Sequence, residues 1–109
     1  MSDKTYNGWT NYETWLVALW IDNDQGSYNF WRETAREVLD QATANRSFTK
    51  EENAKLVLSK QLQGDIEDGA PTENAGLYCD LLTGAMSEVN WYEIASNWID
   101  ELETESEAA

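Results

Sequence analysis

The sequence predicts an all-α protein, a single compact bundle of four to five helices over residues 1–109, and three observations carry that prediction. Apolar residues recur at three- and four-residue spacing in five segments. Apolar–polar alternation nowhere persists over five residues in a β-rich stretch. The single Pro lies in a connection, and the segments between helices are short, as in a bundle.

In the first segment Thr10 and Glu13 have the spacing of a capping box, followed by Tyr12, Trp15, Leu16 and Leu19 at helical intervals. Val17, Trp20 and Ile21 lie on the remaining arc, so this helix is apolar nearly all round and is expected to be central. Gly26-Ser27 is expected to break and restart the chain. Tyr28, Trp31, Ala35, Val38, Leu39 and Ala42 then form the stripe of a second helix, leaving Arg32, Glu33, Arg36, Glu37 and Asp40 to water. Thr49-Lys50-Glu51-Glu52 is another capping box and opens a third helix with Ala54, Val57, Leu58 and Leu62 inside.

Gly64 through Pro71 reads as an acidic, turn-rich connection. Thr72 is a candidate N-cap for a fourth helix that buries Leu77, Tyr78, Leu81, Leu82 and Ala85 and ends near Gly84. Asn90-Trp91-Tyr92-Glu93 has capping-box spacing with Asn in the cap role, ahead of the cleanest stripe in the chain: Trp91, Ile94, Ala95, Trp98, Ile99 and Leu102. Residues 104–109 are polar and small and are expected to fray.

Charge is the most informative feature. The chain has 21 Asp and Glu against 7 Lys and Arg and no His, a formal net charge of −14. All seven bases lie in residues 1–60 beside nine acids; residues 61–109 hold twelve acids and no base. Such a chain is repelled by nucleic acid, whose ligands depend on Lys and Arg to neutralise phosphates. Mechanisms built on an imidazole lack their central part. One Cys excludes an intramolecular disulfide and a multi-thiolate metal site. With no apolar run of membrane-spanning length and no basic-then-apolar start at Met1-Ser2-Asp3-Lys4, a cytoplasmic protein without membrane attachment is expected. The aromatic content, six Trp included, separates it from disordered acidic chains, which are poor in aromatics.

The local candidates for chemistry are weak. Asp22-Asn23-Asp24-Gln25-Gly26 with Glu33 matches three positions of an EF-hand loop but has Gly26 and Ser27 where a ligand and the turn glycine belong, so an acidic helix end is the better description. Cys79 has no base nearby to lower its pKa and reads as a buried structural thiol. Paired carboxylates for glycoside hydrolysis find little room for a cleft in so short a bundle. Five of the six Trp, namely Trp15, Trp20, Trp31, Trp91 and Trp98, fall on apolar stripes and are expected in the core; Trp9 is the candidate exposed anchor. No cofactor, no metal and no catalytic residue are therefore expected.

The string Gly8-Trp9-Thr10-Asn11-Tyr12-Glu13-Thr14-Trp15, continued by Leu19-Trp20-Ile21-Asp22-Asn23, resembles the opening of a family of small acidic proteins encoded on phages, plasmids and other mobile elements. Ser87-Glu88-Val89-Asn90-Trp91-Tyr92-Glu93-Ile94-Ala95 is similar to that family's second signature, and the resemblance runs from about Asn7 to Leu102. It implies a mobile-element setting, in which small acidic proteins resemble anti-restriction and anti-CRISPR inhibitors in size and charge. It implies no activity and no catalytic residue.

The leading expectation is a non-enzymatic inhibitor that presses a DNA-like acidic face onto the basic nucleic-acid-binding surface of a host defence protein. Asp65, Glu67, Asp68, Glu73, Asp80, Glu93, Asp100 and Glu101 would carry the charge and Trp9 the apolar contact. The alternative is a helical protein-interaction module using an apolar patch around Trp9 and Tyr6, with acidity serving only solubility. Monomer and homodimer both stay open.

Overall fold

The computed structural model describes residues 6–71 and 75–108. Five helices follow one another: α1 Tyr12–Asn23, α2 Gln25–Gln41, α3 Lys50–Asp68, α4 Leu77–Ser87 and α5 Trp91–Ala108. No strand occurs among the described residues, and the all-α bundle expected from the periodicity is what forms.

Helix α5 is the centre. Its stripe of Trp91, Ile94, Ala95, Trp98, Ile99 and Leu102 is buried throughout, packed against α1, α2 and, most extensively, α3. Helix α3 runs antiparallel to it, so Lys55 meets Asp100 while Glu51, one turn earlier, meets Glu103. Ala54, Leu58 and Leu62 close this interface without exposure. Helix α2 supplies Trp31 and Ala35 to the same core and stacks Tyr28 on Trp98, ring centroids 5.3 Å apart. Each fully buried aliphatic side chain contributes roughly 1.5–3 kcal/mol.

Helix α1 is less central than its all-round apolarity suggests. Only Thr14, Ala18 and Ile21 are buried; Tyr12 faces outward, Trp15 is half-buried and Trp20 is 69% exposed, so Trp15 and Trp20 leave the group of core tryptophans. Val57 of α3 is exposed as well. Apolar periodicity names the residues that share a face; width of packing then decides how many of them are covered.

Helix limits also depart from the sequence expectations for identifiable reasons. The break between α1 and α2 is a single residue, Asp24, whose carboxylate accepts from Ser27 N at 2.9 Å and so caps α2; Gly26 and Ser27 lie inside its first turn. Helix α3 opens on the expected Thr49–Glu52 capping box and then passes through Gly64 to Asp68, which leaves Asp65, Glu67 and Asp68 on a helix rather than in a loop. A helical glycine costs about 1 kcal/mol and does not by itself end a helix. Helix α4 likewise passes through Gly84 to Ser87, and it begins after Gly76, at φ 152°; Thr72, the expected cap, lies outside the described residues. Helix α5 runs to Ala108, and Arg32 grips Glu105 from α2.

The most telling departure concerns the start of α1. Its N-cap is Asn11, not Thr10: Asn11 Oδ1 accepts from Thr14 N at 2.9 Å and from Thr14 Oγ1 at 2.6 Å. Thr10 N donates instead to Glu93 Oε1 at 3.0 Å, 83 residues away. In return Asn90 N donates to Thr14 Oγ1 at 2.8 Å, while Asn90 Oδ1 caps α5 through Glu93 N at 3.0 Å. Asn11 Nδ2 adds a bond to the Glu88 carbonyl at 2.7 Å. The capping box expected at Asn90 is thus half built at home and half exchanged with α1. The two signature strings of the sequence interlock, and the fully buried Thr14 hydroxyl is the pivot, donating to one strand of the clasp and accepting from the other.

Ahead of the clasp, Tyr6 and Trp9 exchange two backbone hydrogen bonds across Asn7 and Gly8, both at positive φ (48° and 90°). Asn-Gly is the residue pair that such a two-residue turn favours. The turn folds Tyr6 back onto Tyr12 and Trp15, ring centroids 5.2 and 5.0 Å away, and lays Trp9 against the core.

Thr14→Val keeps the volume but takes the partner from the Asn90 N–H in a part-buried site, and is expected to destabilise the fold by about 1 kcal/mol. Trp20→Ser, at an exposed position, should stay within about 0.5 kcal/mol of wild type. Urea titration followed by far-UV circular dichroism checks both.

Candidate functional site

Among the described residues no group of three or more His, Cys, Asp or Glu side chains is placed to hold a metal ion, and no buried side-chain nitrogen or oxygen lacks a partner. Asp24 of the acidic turn is engaged in capping α2. Cys79, on α4, is half-buried rather than buried. The candidate site is therefore a surface, and its properties follow from where the acids and the uncovered apolar groups sit.

The expected partner-binding residues fall in distinct places. Asp65, Glu67 and Asp68 stand exposed on the last turn of α3, at the end away from Lys55 and toward the start of α5. No base occupies that turn, so three carboxylates sit where a helix C-terminus favours cations. Gln63 Nε2 donates to Glu67 Oε2 at 3.0 Å. Asp80 is exposed on the first turn of α4, where a negative charge is favourable. Glu73 lies outside the described residues.

Trp9, Glu93 and Asp100 are brought together, lining one shallow groove of about 210 Å³ with Gly8, Ser96 and Asn97. All three have structural duties: Trp9 is half-buried against the core, and Glu93 holds Thr10 N. Asp100 is turned toward α3 and pairs with Lys55 at 3.0 Å. Glu101, the next residue, projects toward α1 and α2, near Asp22, Arg32 and Glu105. The acids of α5 therefore serve two flanks of the helix rather than one stripe.

Residues outside the expected set share in this electrostatics. Glu103 is held beside Glu51, and Glu101 beside Asp22, so like charges face one another on both flanks of α5. Burial and then the Glu51 hydrogen bond push the Glu103 carboxyl up; burial and then the Asp22 charge do the same for Glu101. Burial raises Asp22. Glu105 moves the other way, held below the usual range by its hydrogen bonds from Arg32, the Nη1 contact being 2.9 Å. The i,i+4 pattern could have exposed none of these cross-helix pairs, because it reports only neighbours on the same helix.

Two apolar surfaces remain uncovered. Leu16, Val17, Trp20, Ile21, Trp31 and Ile66 line an open groove of about 530 Å³ between α1, α2 and the end of α3. The second is α4, which buries no residue: Leu77 is 68%, Tyr78 83% and Leu81 60% exposed. The stripe expected to be core is instead presented outward. Its residues do share one face, and no described residue covers it enough to bury any of them.

The raised carboxyls fix a pH response. A group whose folded-state pKa lies above its unfolded value binds its proton more tightly in the folded protein, so stability grows as pH falls through that range. For Asp22, Glu101 and Glu103 the range lies above the ordinary values of 3.8 and 4.5. The melting temperature should therefore be higher at about pH 5 than at about pH 7, and Glu101→Gln should reduce the difference. Calorimetry across that interval checks it; a melting temperature that falls steadily on acidification would contradict it.

No described helix is long and apolar enough to cross a membrane. Comparison with curated proteins and with solved structures gives no match. Residues 2–107, which include the whole of the interlocked clasp and all five helices but the last residue of α5, match a protein family. The chain belongs to DUF7249, a family of unknown function.

Proposed function

We propose that the protein is a non-enzymatic inhibitor that occupies a basic, nucleic-acid-binding surface on another protein. The observation that carries this reading is the unneutralised acidity of its C-terminal half. Residues 61–109 contain no base, and among the described residues the ion pairs reaching into that half are Lys55–Asp100 and Arg32–Glu105. Asp65, Glu67, Asp68 and Glu101 stand exposed on helices packed to a common core, and Asp80 is exposed on α4. Like-charged pairs persist where a surface selected for stability alone would mix signs.

Duplex DNA presents one negative charge per roughly 1.7 Å of axis, and its binding grooves are lined with Lys and Arg. Carboxylates fixed on a rigid scaffold compete for such a groove and steer association at high rates. The resemblance of the two signature strings to proteins of mobile elements favours a host defence protein, a restriction or CRISPR effector, as the target. Such a target places the inhibitor in the host cytoplasm.

The alternative, an apolar patch around Trp9 and Tyr6, has less to stand on at that place. Trp9 is half-buried against the core, and Tyr6, though exposed, is held edge-on to Tyr12 and tilted against Trp15.

The test is competition between the protein and a labelled DNA duplex for a purified restriction or CRISPR effector. Reversal of Asp65, Glu67, Asp68 and Glu101 to Lys spares Glu93 and Asp100, which hold the fold. It should weaken competition at least about tenfold with the helical spectrum unchanged. Competition should also fade steeply with added salt. Undiminished competition by the four-charge variant rejects the decoy.

A further inference from the structure

We propose that α4 is a docking helix whose apolar face seats in a hydrophobic groove of a partner protein, a groove rimmed by lysine and arginine. The helix is poorly provided for as it stands. It has 11 residues, fewer than the roughly 12–15 at which isolated helices become marginal in water. Gly84 weakens its middle, and its N-cap, Gly76, supplies no side-chain hydrogen bond. It buries no residue of its own and is secured just beyond its C-terminal end, where Val89 enters the core and the Glu88 carbonyl accepts from Asn11.

Its apolar residues are nonetheless arranged for burial. Leu77, Leu81 and Ala85 follow at four-residue steps, with Tyr78 and Leu82 alongside at the same step, which makes one continuous face. Leu77, Tyr78, Leu81 and Ala85 are exposed and Leu82 half-buried. A short helix offering anchors at this spacing is the form in which helix-in-groove recognition works.

Charge identifies the occupant. Asp80 flanks the apolar face, Glu88 lies at its C-terminal end, Asp65, Glu67 and Asp68 precede it on α3, and no base follows Lys60. A second copy of this chain would bring the same negative rim, and like charges across an interface suppress association. Membrane-surface helices carry Lys and Arg on their polar face, which α4 lacks. A protein groove with apolar walls and a basic rim complements both features. This goes beyond the decoy reading, whose one expected apolar contact is Trp9 and which asks nothing of the apolar face of α4.

The probe is a synthetic amphipathic helical peptide with Leu on one face and Lys on the other, compared with the same peptide carrying Glu in place of Lys. Binding is read by fluorescence anisotropy at about 0.15 M and about 0.5 M salt, the higher value screening charge-only contacts. The contact is mapped by amide hydrogen exchange. The Leu/Lys peptide is expected to protect α4, and Leu77→Ala/Tyr78→Ala/Leu81→Ala, which keeps high helix propensity, to weaken binding at least about tenfold at the higher salt. Unchanged affinity in that variant, protection elsewhere than α4, or equal binding of the Leu/Glu peptide overturns the proposal. So does a dimer in sedimentation that the triple variant dissolves, since a second copy would then be the occupant. The decoy reading fails separately, on DNA competition by the four-charge variant.

Discussion

Burial of Ile94, Ala95, Trp98, Ile99 and Leu102 between α1, α2 and α3 holds together a chain whose surface charges repel one another. A formal charge of −14 on 109 residues opposes compaction, and the folded state exists because the apolar contacts along α5 outweigh that opposition. The same helix displays Asp100, Glu101 and Glu103 on the surfaces its packing leaves free. Core and charge are therefore two sides of one element, and neither can be altered without loading the other.

The clasp between Thr10, Asn11 and Thr14 on one side and Glu88, Asn90 and Glu93 on the other has a different task. Each helix is capped from within its own motif, by Asn11 and by Asn90, while the N–H groups of Thr10 and Asn90 donate to Glu93 and Thr14 of the opposite motif, so the two helix starts are tied together. This gives the two signature strings a structural explanation: they are two halves of one joint. What is left for recognition is the rest of the surface, namely the acids at the end of α3 and on α5, and the uncovered face of α4.

The sequence made much of this legible, and where it fell short the reason is non-local. The stripe of α5 and the Thr49–Glu52 capping box depend on residues within a turn of one another, and both are found as read. Thr10 was a reasonable cap by spacing, but its N–H is claimed by Glu93 from the far end of the chain, and Asn11 takes the role. Trp20 and the α4 stripe show a second kind of limit. Periodicity specifies which residues share a face, while whether that face finds a partner within the chain depends on how the helices assemble. For the candidate site, the charge asymmetry was plain from counting. The division of Asp100 and Glu101 between two flanks, and the Glu51–Glu103 and Asp22–Glu101 encounters, arise only from antiparallel and lateral helix packing.

The central claim is that an apolar helix core holds in place a surface of net electrostatic repulsion. The most direct measurement is the melting temperature at neutral pH as sodium chloride is raised from about 0.02 M to about 0.5 M, over which the screening length falls from roughly 20 Å to under 5 Å. Screening of the mutual repulsion should raise the melting temperature progressively, with most of the gain at the low end of the range. A melting temperature that stays constant or falls over that range would mean that the charges are balanced where they stand, and would contradict the account.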